Sequence, residues 1–80
     1  MAKIELFDKT GAYHWGSITE DGAISLYDPS NNYWHGKMEP DGKIALWDHR
    51  NRYLYGHRKP GGVIEIFDEA GNFYHGKLTA

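Results

Sequence analysis

The chain predicts an all-β fold: four 20-residue β-hairpin repeats forming an eight-stranded antiparallel meander, closed or nearly closed as a small barrel or fan. Three observations carry that expectation. Lys3-Ile-Glu-Leu-Phe-Asp8 returns as Ala23-Ile-Ser-Leu-Tyr-Asp28, Lys43-Ile-Ala-Leu-Trp-Asp48 and Val63-Ile-Glu-Ile-Phe-Asp68, a period of twenty residues without insertion. Within each copy apolar and variable residues alternate, as in Ile4-Glu5-Leu6, and β-branched and aromatic residues dominate both segments. Turn residues recur between the segments, and no helical spacing of apolar residues is present. A unit repeated in this way cannot bury its apolar face alone and must stack on its neighbours. Residues 1–80 therefore read as one domain of four units, 3–22, 23–42, 43–62 and 63–80.

Within a unit, Asp8-Lys-Thr-Gly11 and Asp28-Pro-Ser-Asn31 place Asp where its side chain folds back on the backbone and Gly or Asn where φ must be positive. The reading is a type I turn with a bulge. Between units, Glu20-Asp-Gly22, Glu39-Pro-Asp-Gly42 and Lys59-Pro-Gly-Gly62 repeat the device. Three-residue loops then set the register by counting: Phe7 faces Tyr13, Leu6 faces His14, Ile4 faces Gly16, and across the next turn Met38 faces Ile44 and His35 faces Trp47. One face collects the Ile and Leu positions, Gly16, Gly36, Gly56, Gly76, Ile18, Met38 and Leu78, and this face is the core. The other collects aromatic pairs. Because Ile4 faces Gly16 and Gly16 faces Leu26, register advances two residues per unit, which over four units gives the stagger of eight that closes an eight-stranded barrel. Closure would set Lys77 beside Glu5 and remove both exposed edges. An open fan of four hairpins is the alternative.

Composition excludes several classes. Twelve aromatics supply more buriable surface than a disordered chain carries, and the absence of cysteine excludes disulfides and thiolate metal sites. The Met-Ala-Lys-Ile start lacks the apolar run of a signal peptide, and a cytoplasmic setting is the expectation. No apolar stretch approaches a membrane helix, and a net charge of −2 makes a nucleic-acid or membrane partner unlikely on global charge alone.

The run Tyr27-Asp-Pro-Ser-Asn31, followed by Asp41-Gly42, resembles the Tyr-Asp repeat of large bacterial hairpin-repeat shells. The four-copy layout is also similar to small four-bladed hairpin fans. The resemblance spans the chain by spacing and implies tandem hairpins, with no functional residue carried over.

Chemistry-bearing residues are mostly explained by structure. Asp8, Asp28, Asp48 and Asp68 form a fourfold acidic set at one end of the sheet, but each opens a turn, and their spacing lacks the dense rhythm of a calcium loop. His35 and His75 occupy equivalent positions on opposite sides of a ring, paired with Ser25 and Glu65, so no third and fourth ligand converge and no metal or cofactor is expected. His14 shares the core face with Leu6 and reads as a structural histidine near a barrel mouth. No nucleophile elbow, phosphate loop or His-Glu-x-x-His is present, so no catalytic residue is assigned and a non-enzymatic role is expected.

Aromatic residues are the strongest functional signal. Phe7 with Tyr13, Tyr27 with Tyr33, Trp47 with Tyr53 and Phe67 with Phe73 form four equivalent pairs near the Asp turns. With the Ile and Leu face inside, these eight lie outside and call for a cover, for which a second copy of the chain is the simplest candidate. At the next positions, His14-Trp15, Trp34-His35, Leu54-Tyr55 and Tyr74-His75 suggest a twofold alternation of faces, which offers Trp15, Trp34, Tyr55 and Tyr74 as stacking residues for a glycan or small ligand. Charge is uneven too: unit three carries +4 while the other three carry −2 each. Arg50, Arg52, Arg58 and Lys59 are therefore a candidate anion patch, with Trp47 and Tyr55 available to stack a base. The expectation is a small scaffold or protein-interaction module that self-associates through its aromatic face, with glycan or small-ligand binding and anion binding as alternatives.

Overall fold

The computed structural model describes residues 2–79. Strands β1 (Ala2–Phe7), β2 (Tyr13–Ile18), β3 (Ala23–Tyr27), β4 (Tyr33–Met38), β5 (Lys43–Trp47), β6 (Tyr53–Arg58), β7 (Val63–Asp68) and β8 (Phe73–Thr79) run antiparallel in chain order around a closed barrel. The expected register is the observed one. Ile4 pairs with Gly16 and Gly16 with Leu26; Ile24, Gly36 and Leu46, then Ile44, Gly56 and Ile66, repeat the step. Ile64 pairs with Gly76 and Gly76 with Leu6 of the first strand, which completes the circuit, and Lys77 sits opposite Glu5. Closure wins over the open fan because it leaves no unpaired strand edge.

Side chains fill the interior in layers. Ile4, Ile24, Ile44 and Ile64 form one, and Leu6, Leu26, Leu46 and Ile66 the next; all eight are essentially inaccessible. Each layer takes one residue from every second strand, β1, β3, β5 and β7, which is why the period-two pattern and the twenty-residue repeat had to coincide. His14, Trp34, Leu54 and Tyr74 pair with the Leu layer and cap it toward the Asp turns. At the opposite mouth the equivalent positions are Ile18, Met38, Arg58 and Leu78.

Both turn classes take one geometry. Gly11 N–H donates to the Asp8 carbonyl at 3.0 Å and Asp8 N–H to the Ala12 carbonyl at 3.2 Å, while Gly42 and Glu39 make the same bonds in the turn between units two and three. The turn residue before the second strand has positive φ in all four units: 85° at Gly11, 66° at Asn31, 61° at Asn51 and 84° at Gly71. Asn is among the few side chains tolerated there. Replacing Gly71 with Asn, whose Cβ would meet nothing within 4 Å, should therefore change unfolding free energy by less than about 0.5 kcal/mol. A loss above about 1 kcal/mol in urea denaturation would show that the units are not interchangeable at this turn. The turn between units three and four departs slightly: a single 3₁₀ turn at Pro60–Gly62 sets both Gly61 and Gly62 at positive φ.

No helix among the described residues is long and apolar enough to cross a membrane.

Candidate interaction surface

The Asp collar is built by its own turns. Asp48 Oδ1 accepts the Arg50 and Arg52 backbone N–H groups, each at 2.9 Å, and its Oδ2 accepts Arg52 Nε at 2.9 Å. Asp28 and Asp68 do the same, with Asn32 and Asn72 amides in place of the guanidinium, and Asp8 bonds the backbone of Thr10 and Ala12. Burial opposes ionisation of all four, but these donors together outweigh it and hold the carboxyls below their ordinary value. Each Asp is thereby occupied as a turn cap. Among the described residues no three His, Cys, Asp or Glu side chains gather as a metal site.

Below the collar, His14 is buried, with Nδ1 3.1 Å from the Ala12 carbonyl, and its ring meets Trp34 edge-on at a centroid distance of 4.8 Å. Tyr74 meets both rings edge-on. Burial, then the charges of Asp68 and Asp8, push its phenol up. Trp34 and Tyr74 thus plug the barrel end and do not share a surface with Trp15 and Tyr55. The suggested alternation of faces is corrected accordingly: positions 14, 34, 54 and 74 all point inward and positions 15, 35, 55 and 75 all point outward, because pairing with the Leu layer fixes the parity of every strand.

The outer surface carries a closed aromatic belt. In order around the barrel, Phe7, Tyr13, Trp15, Tyr27, Tyr33, His35, Trp47, Tyr53, Tyr55, Phe67, Phe73 and His75 each neighbour the next, and His75 returns to Phe7, with centroids 5.1–6.3 Å apart. The eight residues of the four pairs are all members. Trp15, His35, Tyr55 and His75 are the third ring of each unit; they bridge one pair to the next by pairing with Tyr27, Trp47, Phe67 and Phe7. Counting register across the turns between units could have found this. The rings remain open to solvent: Tyr33 is 47%, Tyr55 45% and Tyr13 40% exposed.

No protein-family model, curated protein or solved structure matches this chain. What its surface does is read from its own residues.

The four candidate anion-binding cations do not form one patch. Arg50 and Arg52 flank the β5–β6 turn, whereas Arg58 and Lys59 lie at the other end of β6, roughly 20 Å away at about 3.3 Å per residue. Two are already engaged, Arg52 with Asp48 and Lys59 with Glu65, both at 2.9 Å. Depressions lie at both mouths and on the wall of the described barrel. An open one of about 810 Å³ lies at the mouth where Ile18, Met38, Leu78 and Arg58 converge, rimmed by Glu20, Asp21 and Glu39. A smaller one of about 200 Å³ opens over Leu54 between Asp48 and Asp68, where the capping layer has leucine in place of an aromatic ring. The third, of about 480 Å³, lies on the barrel wall at Lys3, Tyr13, Trp15 and Gly16.

Proposed function

We propose that the chain is a non-enzymatic interaction module, working in a cytoplasmic setting, whose aromatic belt packs against the belt of another copy. The observation that carries this reading is the continuity of the belt. A cross-strand aromatic pair contributes about 0.5–1.5 kcal/mol to its own barrel, which accounts for the pairs but not for a ring of partly exposed aromatics around the whole circumference. A soluble monomer rarely leaves so much contiguous apolar surface uncovered. Aromatic side chains also dominate the energetics of protein interfaces.

Charge favours a particular way of meeting. The wall of unit three is flanked at both ends by cations, Arg50 and Arg52 on one side and Lys43, Arg58 and Lys59 on the other, whereas the other units are net acidic. Two such walls repel each other, so the favoured contact sets unit three of one copy against a different unit of the next. Solution mass from light scattering should rise with protein concentration and fall with added salt. Trp47→Ala combined with Tyr53→Ala should shift the population toward monomer at a concentration where the parent chain is associated. A parent chain that stays monomeric, or a double variant of unchanged mass, would remove this reading.

A further inference from the structure

Fourfold repetition makes departures from it informative, and one on the outer wall lies in unit one. Below the third belt ring of each unit stand Ser17, Lys37, His57 and Lys77, facing Ser25, Ala45, Glu65 and Glu5 on the next strand. Only Ser17 and Ser25 are small on both strands, and both carry hydroxyls. They lie beneath Trp15, the single tryptophan among the third rings, which elsewhere are His35, Tyr55 and His75. Lys3 pairs with Ser17 from the other side, and Glu5 pairs with Trp15 and accepts the Tyr13 hydroxyl at 3.1 Å. A 480 Å³ crevice is lined by Lys3, Tyr13, Trp15 and Gly16, and Ser17 follows Gly16 along β2 opposite Lys3. Elsewhere a lysine, imidazole or carboxylate occupies the corresponding space.

We propose that this crevice is a subsite for one pyranose ring of a β-linked saccharide with equatorial hydroxyls. Such a ring has an apolar face of axial C–H bonds that suits the indole of Trp15, while its hydroxyls radiate in the ring plane toward donors and acceptors beside it. Lys3 in the lining and Ser17 opposite it supply those groups, while the Ser25 hydroxyl is 3.3 Å from that of Tyr33. A phosphate-bearing ligand fits less well, because Glu5 balances Lys3 and no second cation converges there. A purely apolar segment would cover the Ser17 hydroxyl and the Lys3 ammonium without pairing them. The site belongs to unit one alone, and because Tyr13 and Trp15 are also belt residues a saccharide there competes with self-association.

Two-dimensional ¹H–¹⁵N NMR with cellotriose as the probe tests this, since the three indole N–H groups of Trp15, Trp34 and Trp47 report separately. At a protein concentration low enough to be monomeric, the Trp15 signal should move saturably with millimolar affinity while those of Trp34 and Trp47 stay in place. Trp15→Ala should weaken binding by about tenfold or more. Ser17→Lys should do the same without disturbing the fold, since lysine occupies that position in units two and four. The proposal is overturned if cellotriose produces no saturable shift, if Trp47 moves in parallel with Trp15, or if Ser17→Lys binds like the parent chain.

Discussion

Replacing Gly56 with alanine is expected to cost about 3 kcal/mol or more, lowering the melting temperature by roughly 15 °C for a domain of this size. The reason is contact with backbone, which has nowhere to go. Gly56 pairs with Ile44 on one side and Ile66 on the other, and its added Cβ would overlap the Glu65 carbonyl and stand 2.7 Å from Ile66 Cα. The strands approach this closely because each unit must coil sharply for four of them to close a barrel around a core of single Ile and Leu layers. Gly71→Ala separates this effect from backbone strain. Its φ is +84°, but no atom lies within 4 Å of an added Cβ, so the expected loss is only about 1–2 kcal/mol. Thermal denaturation followed by circular dichroism compares the two. Equal losses would show that close approach is not what Gly56 provides.

Asp48→Ala should be the most damaging substitution in the collar, at about 2–3 kcal/mol, because it leaves two backbone N–H groups without an acceptor in a site that is almost closed to water. Asp48→Asn keeps one oxygen for both and should recover most of that loss. What asparagine cannot restore is the contact with Arg52 Nε, a modest term given how exposed the guanidinium is. Charge enters through acid. The carboxyls of Asp8, Asp28, Asp48 and Asp68 lie below the ordinary value of 3.8 in the folded chain. Their stabilisation is therefore present above that value and is lost as pH falls through the lower folded values, where the unfolded state binds protons first. Urea midpoints should be flat from neutrality down to about pH 5, and should drop steeply below about pH 4. A midpoint that stays level to pH 3 would contradict the collar's role. Asp48→Asn should flatten part of that drop.

Much of the fold was legible because its signals are local and repeat four times. Asp at the turn start, Gly or Asn at positive φ and strict alternation set each hairpin, and counting across equal loops set the register as far as Lys77 opposite Glu5. The same counting places Trp34 and Tyr74 inside, since they pair with Leu26 and Ile66. Reading neighbouring aromatics as a twofold alternation obscured this: residue type changed between units while side-chain direction did not. The third ring of the belt was read only in part: counting set His35 opposite Trp47, but the belt was not followed round. Its link to the next pair lies in the next unit, as Trp15 pairs with Tyr27.

Residue identity and spacing thus account for the hairpins, the register, the core layers and the Asp caps, all of which depend on contacts within one unit or between successive ones. Three features needed the folded molecule. The choice of barrel over fan depends on β8 finding β1, a contact between the two ends of the chain that no local pattern encodes. Arg50 and Arg52 part from Arg58 and Lys59 because a strand of six residues carries them to opposite mouths, a distance invisible in a count of charges. The belt becomes a continuous surface, and Lys3 joins Tyr13 and Trp15 around one crevice, only when curvature sets outward side chains of separate strands edge to edge, since neighbours in space are chosen by pairing across strands rather than by order along the chain.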